Sequence, residues 1–99
     1  MSTPAQVALV TGASRGIGRS IAATLAAAGF RVVGSATTEA GAAGITAALA
    51  RWPGCRGVVL DVTDAAACDA AVDAIVKDMG GLHVLVNNAG ITRDTLAMR

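Results

Sequence analysis

Val7-Ala8-Leu9-Val10-Thr11-Gly12-Ala13-Ser14-Arg15-Gly16-Ile17-Gly18 decides the fold of this chain. Four apolar residues in a row, closed by Thr11-Gly12, suit a strand buried on both faces. Beyond the loop, Ile17, Ile21, Leu25 and Ala28 recur at helical spacing. They predict one apolar helix face, stopped by Gly29. The glycines at 12, 16 and 18 therefore lie between a strand and a helix. That is where glycine permits a tight turn, lets backbone approach a pyrophosphate, and lets the helix pack close to the sheet. The helix start adds N–H groups without intrahelical partners and the positive end of the helix dipole, both of which favour an anion. The segment reads as a phosphate- or dinucleotide-binding loop. No Gly-Lys-Ser/Thr closes it, which speaks against a nucleoside-triphosphate loop.

Working outward, residues 31–34 read as a second strand. Ile45, Leu49 and Trp52 space a second, weaker helix, closed by Pro53-Gly54. Residues 58–60 form a third strand. Asp64 is a candidate N-cap for a third helix with Cys68, Val72, Ile75, Val76 and Met79 on its apolar face and Gly80-Gly81 at its end. Residues 82–86 give a fourth strand. Strands alternating with helices predict an α/β fold, an open parallel sheet with helices on both faces. Residues 89–99 begin a new segment but build no element. The expectation is an incomplete dinucleotide-binding (Rossmann) domain over 1–99, truncated after the fourth strand, with an unpaired edge or uncovered face.

Composition narrows the function. The chain has 99 residues, one domain at most, and 54% are hydrophobic, which excludes a disordered polymer. The net charge of +1 and scattered arginines build no cationic face, so nucleic acid is not an expected partner. No basic segment precedes a long apolar run, and no run approaches the roughly 20 residues a membrane span needs. Neither a signal peptide nor a membrane partner is expected. Cys55 and Cys68 fit no metal-ligand pattern and read as reduced thiols of a cytoplasmic protein; no metal site is expected. Lys77 reads as a solvated charge and His83 as a structural histidine.

A second motif, Asn87-Asn88-Ala89-Gly90, directly follows the fourth strand. Together with the glycine loop it resembles the short-chain dehydrogenase/reductase family, and the likeness runs over the whole chain. Residues 7–21, 34–45 and 84–98 look most like the bacterial 3-oxoacyl-[acyl-carrier-protein] reductases of that family. Acetoacetyl-coenzyme A reductases share N-N-A-G-I-T-R-D, so that stretch leaves the substrate open. Gly34-Ser35-Ala36-Thr37-Thr38 leans toward the acyl-carrier-protein enzymes.

The resemblance implies strand order 3-2-1-4 and a nicotinamide cofactor. An acid at the end of the second strand would bind the ribose 2′-hydroxyl and repel a 2′-phosphate. That position holds Ala36, while Thr37 and Arg15 can bond a phosphate. NADP(H) is therefore expected. The rival acid, Glu39, falls at the start of the next helix. The implied cofactor-binding residues are Gly12, Ser14, Arg15, Gly16, Ile17, Gly18, Thr37, Asp61, Val62, Asn88, Ala89 and Gly90, with Asp61 and Val62 near the adenine. Asn87 is expected to tie neighbouring strands together.

Family chemistry resembles proton donation by a tyrosine with a lysine four residues later, a serine that orients the carbonyl, and an asparagine that maintains a water relay. This chain has no Tyr, and its serines are Ser2, Ser14, Ser20 and Ser35, all upstream of the family's catalytic serine. No catalytic residue is assigned. The implied protein is the N-terminal part of a cytoplasmic, homotetrameric reductase of fatty-acid synthesis, acting on an acyl-carrier-protein-linked substrate and inactive as this chain alone. An acetoacetyl-coenzyme A reductase fragment, or a non-catalytic nucleotide-binding or remnant module, stays open.

Overall fold

The apolar run after Gln6 forms the first strand, β1 (Val7–Val10), every residue of which is buried. The computed structural model describes residues 6–88. After β1 come α1 (Gly16–Ala27), β2 (Arg31–Ala36), α2 (Glu39–Ala48), β3 (Arg56–Val59), α3 (Ala65–Met79) and β4 (Val84–Val86). The four strands make one parallel sheet in the order β3-β2-β1-β4. Leu9 sits at the centre of the register, paired with Val33 on one side and Leu85 on the other.

Alternation along the strands separates two cores. Val10 and Val32 face a cluster with Ala22 and Ala26 of α1 and Ile45 of α2. Val7, Leu9 and Val33 face the other way, against Ile75 of α3. Helices thus cover both faces, as right-handed crossovers between parallel strands require.

Local chemistry sets the helix ends. Thr38 caps α2 by accepting from the Gly41 N–H at 3.0 Å. Asp64 caps α3 in the same way, accepting from Ala67 N–H at 3.1 Å. Gly80 closes α3 in the left-handed conformation, φ 84°, where a Cβ is costly.

The structure corrects the face predicted for α1. Ile17 is 73% exposed, and Ala28 is an exposed C-cap. The buried face is Gly18, Ala22 and Ala26, with Ile21 and Leu25 packed at its flank. Close packing of Gly18 on the loop backbone fixes the helix rotation, and Ile17 lies about 100° away around the axis. Likewise Val76 of α3 is 42% exposed. Trp52 lies past the end of α2, in a turn where its N–H donates to Leu49.

Strand limits shift for identifiable reasons. The fourth strand starts at Val84, not Leu82, because the His83 imidazole interrupts the ladder. Its Nδ1 accepts from Val7 N–H at 2.9 Å while the His83 backbone N–H donates to Val7 O. The third strand begins at Arg56, whose backbone pairs with β2 while its guanidinium reaches Asp78 at 3.1 Å on the surface. The second runs on to Ala36, two residues further than its apolar run suggested. Leu60 N–H donates to Ala36 O just beyond that end of β3.

Candidate functional site

The loop between β1 and α1 is held at both sides by backbone. Thr11 N–H donates to Val86 O of β4 at 3.0 Å, and Ala13 N–H donates to Ser35 O of β2 at 2.9 Å. These bonds pin the loop across the point where the strand order reverses, which is where open α/β sheets bind ligands. Gly12 and Gly16 both have φ 64°, a conformation other residues adopt at a cost. Gly18 serves a different need. A Cβ there would run into Gly12 O and come within 2.6 Å of the Asn88 side-chain nitrogen.

Asn88 joins the two sequence motifs. Its side-chain N–H donates to Gly12 O at 3.2 Å, across 76 positions of chain. Asn87 performs the tying role expected of it, its Oδ1 accepting from the Thr11 hydroxyl at 3.3 Å.

An open groove of about 330 Å³ lies over these strand ends, lined by Gly12, Ser14, Arg15, Ser35, Ala36, Thr37, Leu60 and Asn88. It brings together five predicted residues: Gly12, Ser14, Arg15, Thr37 and Asn88. Gly16 and Gly18 shape it without lining it, and Ile17 projects into solvent at the start of α1. Arg15 occupies the N-cap of α1 and makes no side-chain cap there. A guanidinium only donates, so the first-turn N–H groups of α1 keep their demand for an acceptor. The groove offers cation, hydroxyls and backbone donors together, a donor set that fits a diphosphate.

Asp61 and Val62 are not in this groove. Val62 lines an adjoining apolar cleft of about 120 Å³ with Leu9, Cys68, Val72 and Leu85, and Leu60 borders both spaces. The Asp61 carboxylate turns onto its own loop, accepting from the Thr63 hydroxyl at 2.6 Å and the Thr63 N–H at 2.9 Å. These bonds, the hydroxyl first, hold Asp61 below the ordinary carboxylate range, partly offset by desolvation. Glu39 is the first residue of α2 and does not line the groove. Ala89 and Gly90 lie outside the described residues.

Ser35 and Leu60 were not anticipated from sequence. Ser35 is 1% exposed near the end of β2, and Leu60 follows β3. Their position at the carboxyl ends of parallel strands was the available signal. Among the described residues no group of three or more His, Cys, Asp or Glu could hold a metal ion. No helix among them is long and apolar enough to cross a membrane.

The pinned glycine loop, the asparagine latch and the strand order define a class. The profile of the short chain dehydrogenase family matches residues 6–98, and the chain belongs to that family of oxidoreductases. The 3-oxoacyl-[acyl-carrier-protein] reductase FabG of Escherichia coli (strain K12) is 50% identical to it over 99 residues, all of this chain and 40% of that protein. The enzymes of the same name from Vibrio harveyi and Pseudomonas aeruginosa are 48% and 46% identical, again over all of this chain and 40% of theirs. The chain thus spans about 40% of the length of these curated relatives.

Proposed function

We propose that this chain is the N-terminal NADPH-binding part of a 3-oxoacyl-[acyl-carrier-protein] reductase of fatty-acid synthesis. The observation that carries the reading is the Asn88–Gly12 bond, which joins both motifs beside one groove holding Arg15 and Thr37. When bound, NADPH supplies the hydride that reduces a 3-oxo carbonyl to a hydroxyl. The glycine loop and the start of α1 receive the diphosphate. Arg15, Ser14 and Thr37 receive the ribose 2′-phosphate, on the side where Ala36 offers no carboxylate to repel it. Val62 and Leu60 wall the space for the adenine, with Asp61 held ionised beside it. Ile17, Ala89 and Gly90 complete the contact set by family likeness.

The 99 residues alone do not complete the reaction. Reduction of a carbonyl needs a proton donor in reach of the oxygen, and the chain contains no tyrosine. Cofactor affinity without turnover is the expected behaviour. The full reductase acts in the cytoplasm as a homotetramer on a substrate held by an acyl carrier protein, without nucleic acid or membrane partners. The identity to the FabG relatives favours this substrate over a coenzyme A thioester.

Fluorescence titration with NADPH and NADH tests the reading. NADPH is expected to bind the more tightly. Gly12→Val abolishes binding, because it fills the diphosphate's space at a backbone position with φ 64°. Arg15→Ala weakens NADPH more than NADH. A folded protein indifferent to NADPH, or turnover of a 3-oxoacyl thioester by these 99 residues, would overturn it.

A further inference from the structure

α2 contains two glycines, Gly41 and Gly44, in an otherwise alanine-rich run. Glycine is the poorest helix former short of proline, so each needs a reason. At Gly44 the structure offers none, since a Cβ there would meet nothing within 4 Å. Gly41 is different. A Cβ there would lie 2.7 Å from Ala36 Cβ, 3.1 Å from Thr38 Oγ1 and 3.6 Å from Ser14 Cβ. Ala36 has no flexible end to move aside, and it is 6% exposed at the end of β2. The first turn of α2 could then stay where it is only by displacing the end of β2, while Ser14 at 3.6 Å would remain in ordinary contact.

Two of those three neighbours, Ser14 and Ala36, line the groove, and Thr37 lies between Ala36 and the helix cap Thr38. The Thr38 hydroxyl accepts from Gly41 N–H at 3.0 Å, so cap and contact act on the same residue. We infer that Gly41 is a positioning residue for recognition of the ribose 2′-phosphate. Its missing side chain seats the first turn of α2 on Ala36 and against Ser14. That seating holds Thr37 in the groove that Arg15 also lines, where both can meet one phosphate. The diphosphate cradle, built by Gly12, Gly16 and Gly18, does not depend on it. The inference rests on the NADPH reading above and adds a determinant of cofactor choice that touches no cofactor atom.

The test uses the protein purified at its native length, with dissociation constants for NADPH and NADH and a melting curve for each variant. Gly41→Ala is expected to lose about tenfold in NADPH affinity, as for a displaced charge-assisted contact, with a loss for NADH under about threefold. Adding Ala36→Gly removes the atom the new methyl strikes and restores most of the preference. Gly44→Ala leaves both affinities unchanged and raises Tm, as helix propensity alone dictates. A folded Gly41→Ala protein that keeps the wild-type NADPH-to-NADH ratio overturns the inference, as does a double variant with no recovery. Where Gly41→Ala does not fold, Thr38→Ala decides. Loss of the preference, retained in Thr38→Ser, supports the inference, and an unchanged ratio overturns it. A wild-type protein that binds NADPH no better than NADH fails earlier, and sinks the cofactor reading itself.

Discussion

The two faces of the sheet are built to different standards. On one, α1 and α2 together cover the central strands, and Val10, Val32, Ile45 and Leu49 are all at most 2% exposed. Glycines at strand positions bring α2 closer still. A Cβ on Gly57 would run into Ala42 O and come within 2.8 Å of Ile45 Cβ. On the other face α3 works alone among the described residues. Of its 15 residues only Ile75 is buried, and Leu85 of β4 beneath remains 58% exposed. One helix of ordinary width, about 10 Å, cannot cover four strands spaced about 4.8 Å apart. The glycine loop hangs from the well-packed half, through Ala13 to β2, and from β4 through Thr11. The proposed cofactor loop thus bridges a closely packed half and a lightly packed one.

The sharpest way to break this comparison is to remove one buried isoleucine from each face. Ile45→Ala is expected to cost about 4 kcal/mol, because two glycine-seated strands and a helix cannot collapse into the space. Ile75→Ala should cost about 2–3 kcal/mol, since the open cleft beside α3 lets water or neighbours relieve the void. Urea unfolding of both variants checks the order, and an equal or larger loss at Ile75 would mean that the two faces are packed alike.

A smaller effect is expected at the surface pair Arg56–Asp78, whose side chains are 38% and 57% exposed. Asp78→Ala should lower stability by about 0–1 kcal/mol, less so in high salt. A loss well above that would mean that α3 depends on this ion pair for its attachment to β3. Leu85→Lys should change stability by no more than about 0.5 kcal/mol while reducing self-association in analytical ultracentrifugation. A large loss of stability would show that β4 is better covered than its exposure indicates.

Thr63 lowers the Asp61 pKa, so the carboxylate's contribution is present above its unfolded value, about 3.9, and is lost as pH falls through the lowered folded value. Thr63→Ala should move the Asp61 midpoint, followed by carbon NMR of the side chain, back toward the ordinary value. An unchanged midpoint would mean that the Thr63 bonds do not set it.

Much of the fold is legible in the sequence. The order of elements followed from apolar runs and helical spacing, the α3 cap from Asp64, and the glycine loop from its place between strand and helix. Those features depend on residues near one another in sequence. The rotation of α1 did not follow, because Ile17 and Gly18 compete for the same face and only the approach of Gly12 and Asn88 decides for Gly18. Strand limits at His83 and Arg56 escaped for a related reason: a side chain acts there as a ladder partner or a surface anchor.

The amino-acid sequence by itself determined which backbone conformations were available, through glycines at φ 64° and through hydroxyl and carboxylate caps a few residues from the N–H groups they accept from. Only the tertiary structure decided which residues share the groove. Gly12, Thr37, Leu60 and Asn88 come from the ends of four different strands. Parallel pairing sets those ends side by side at sheet spacing, whatever their distance along the chain.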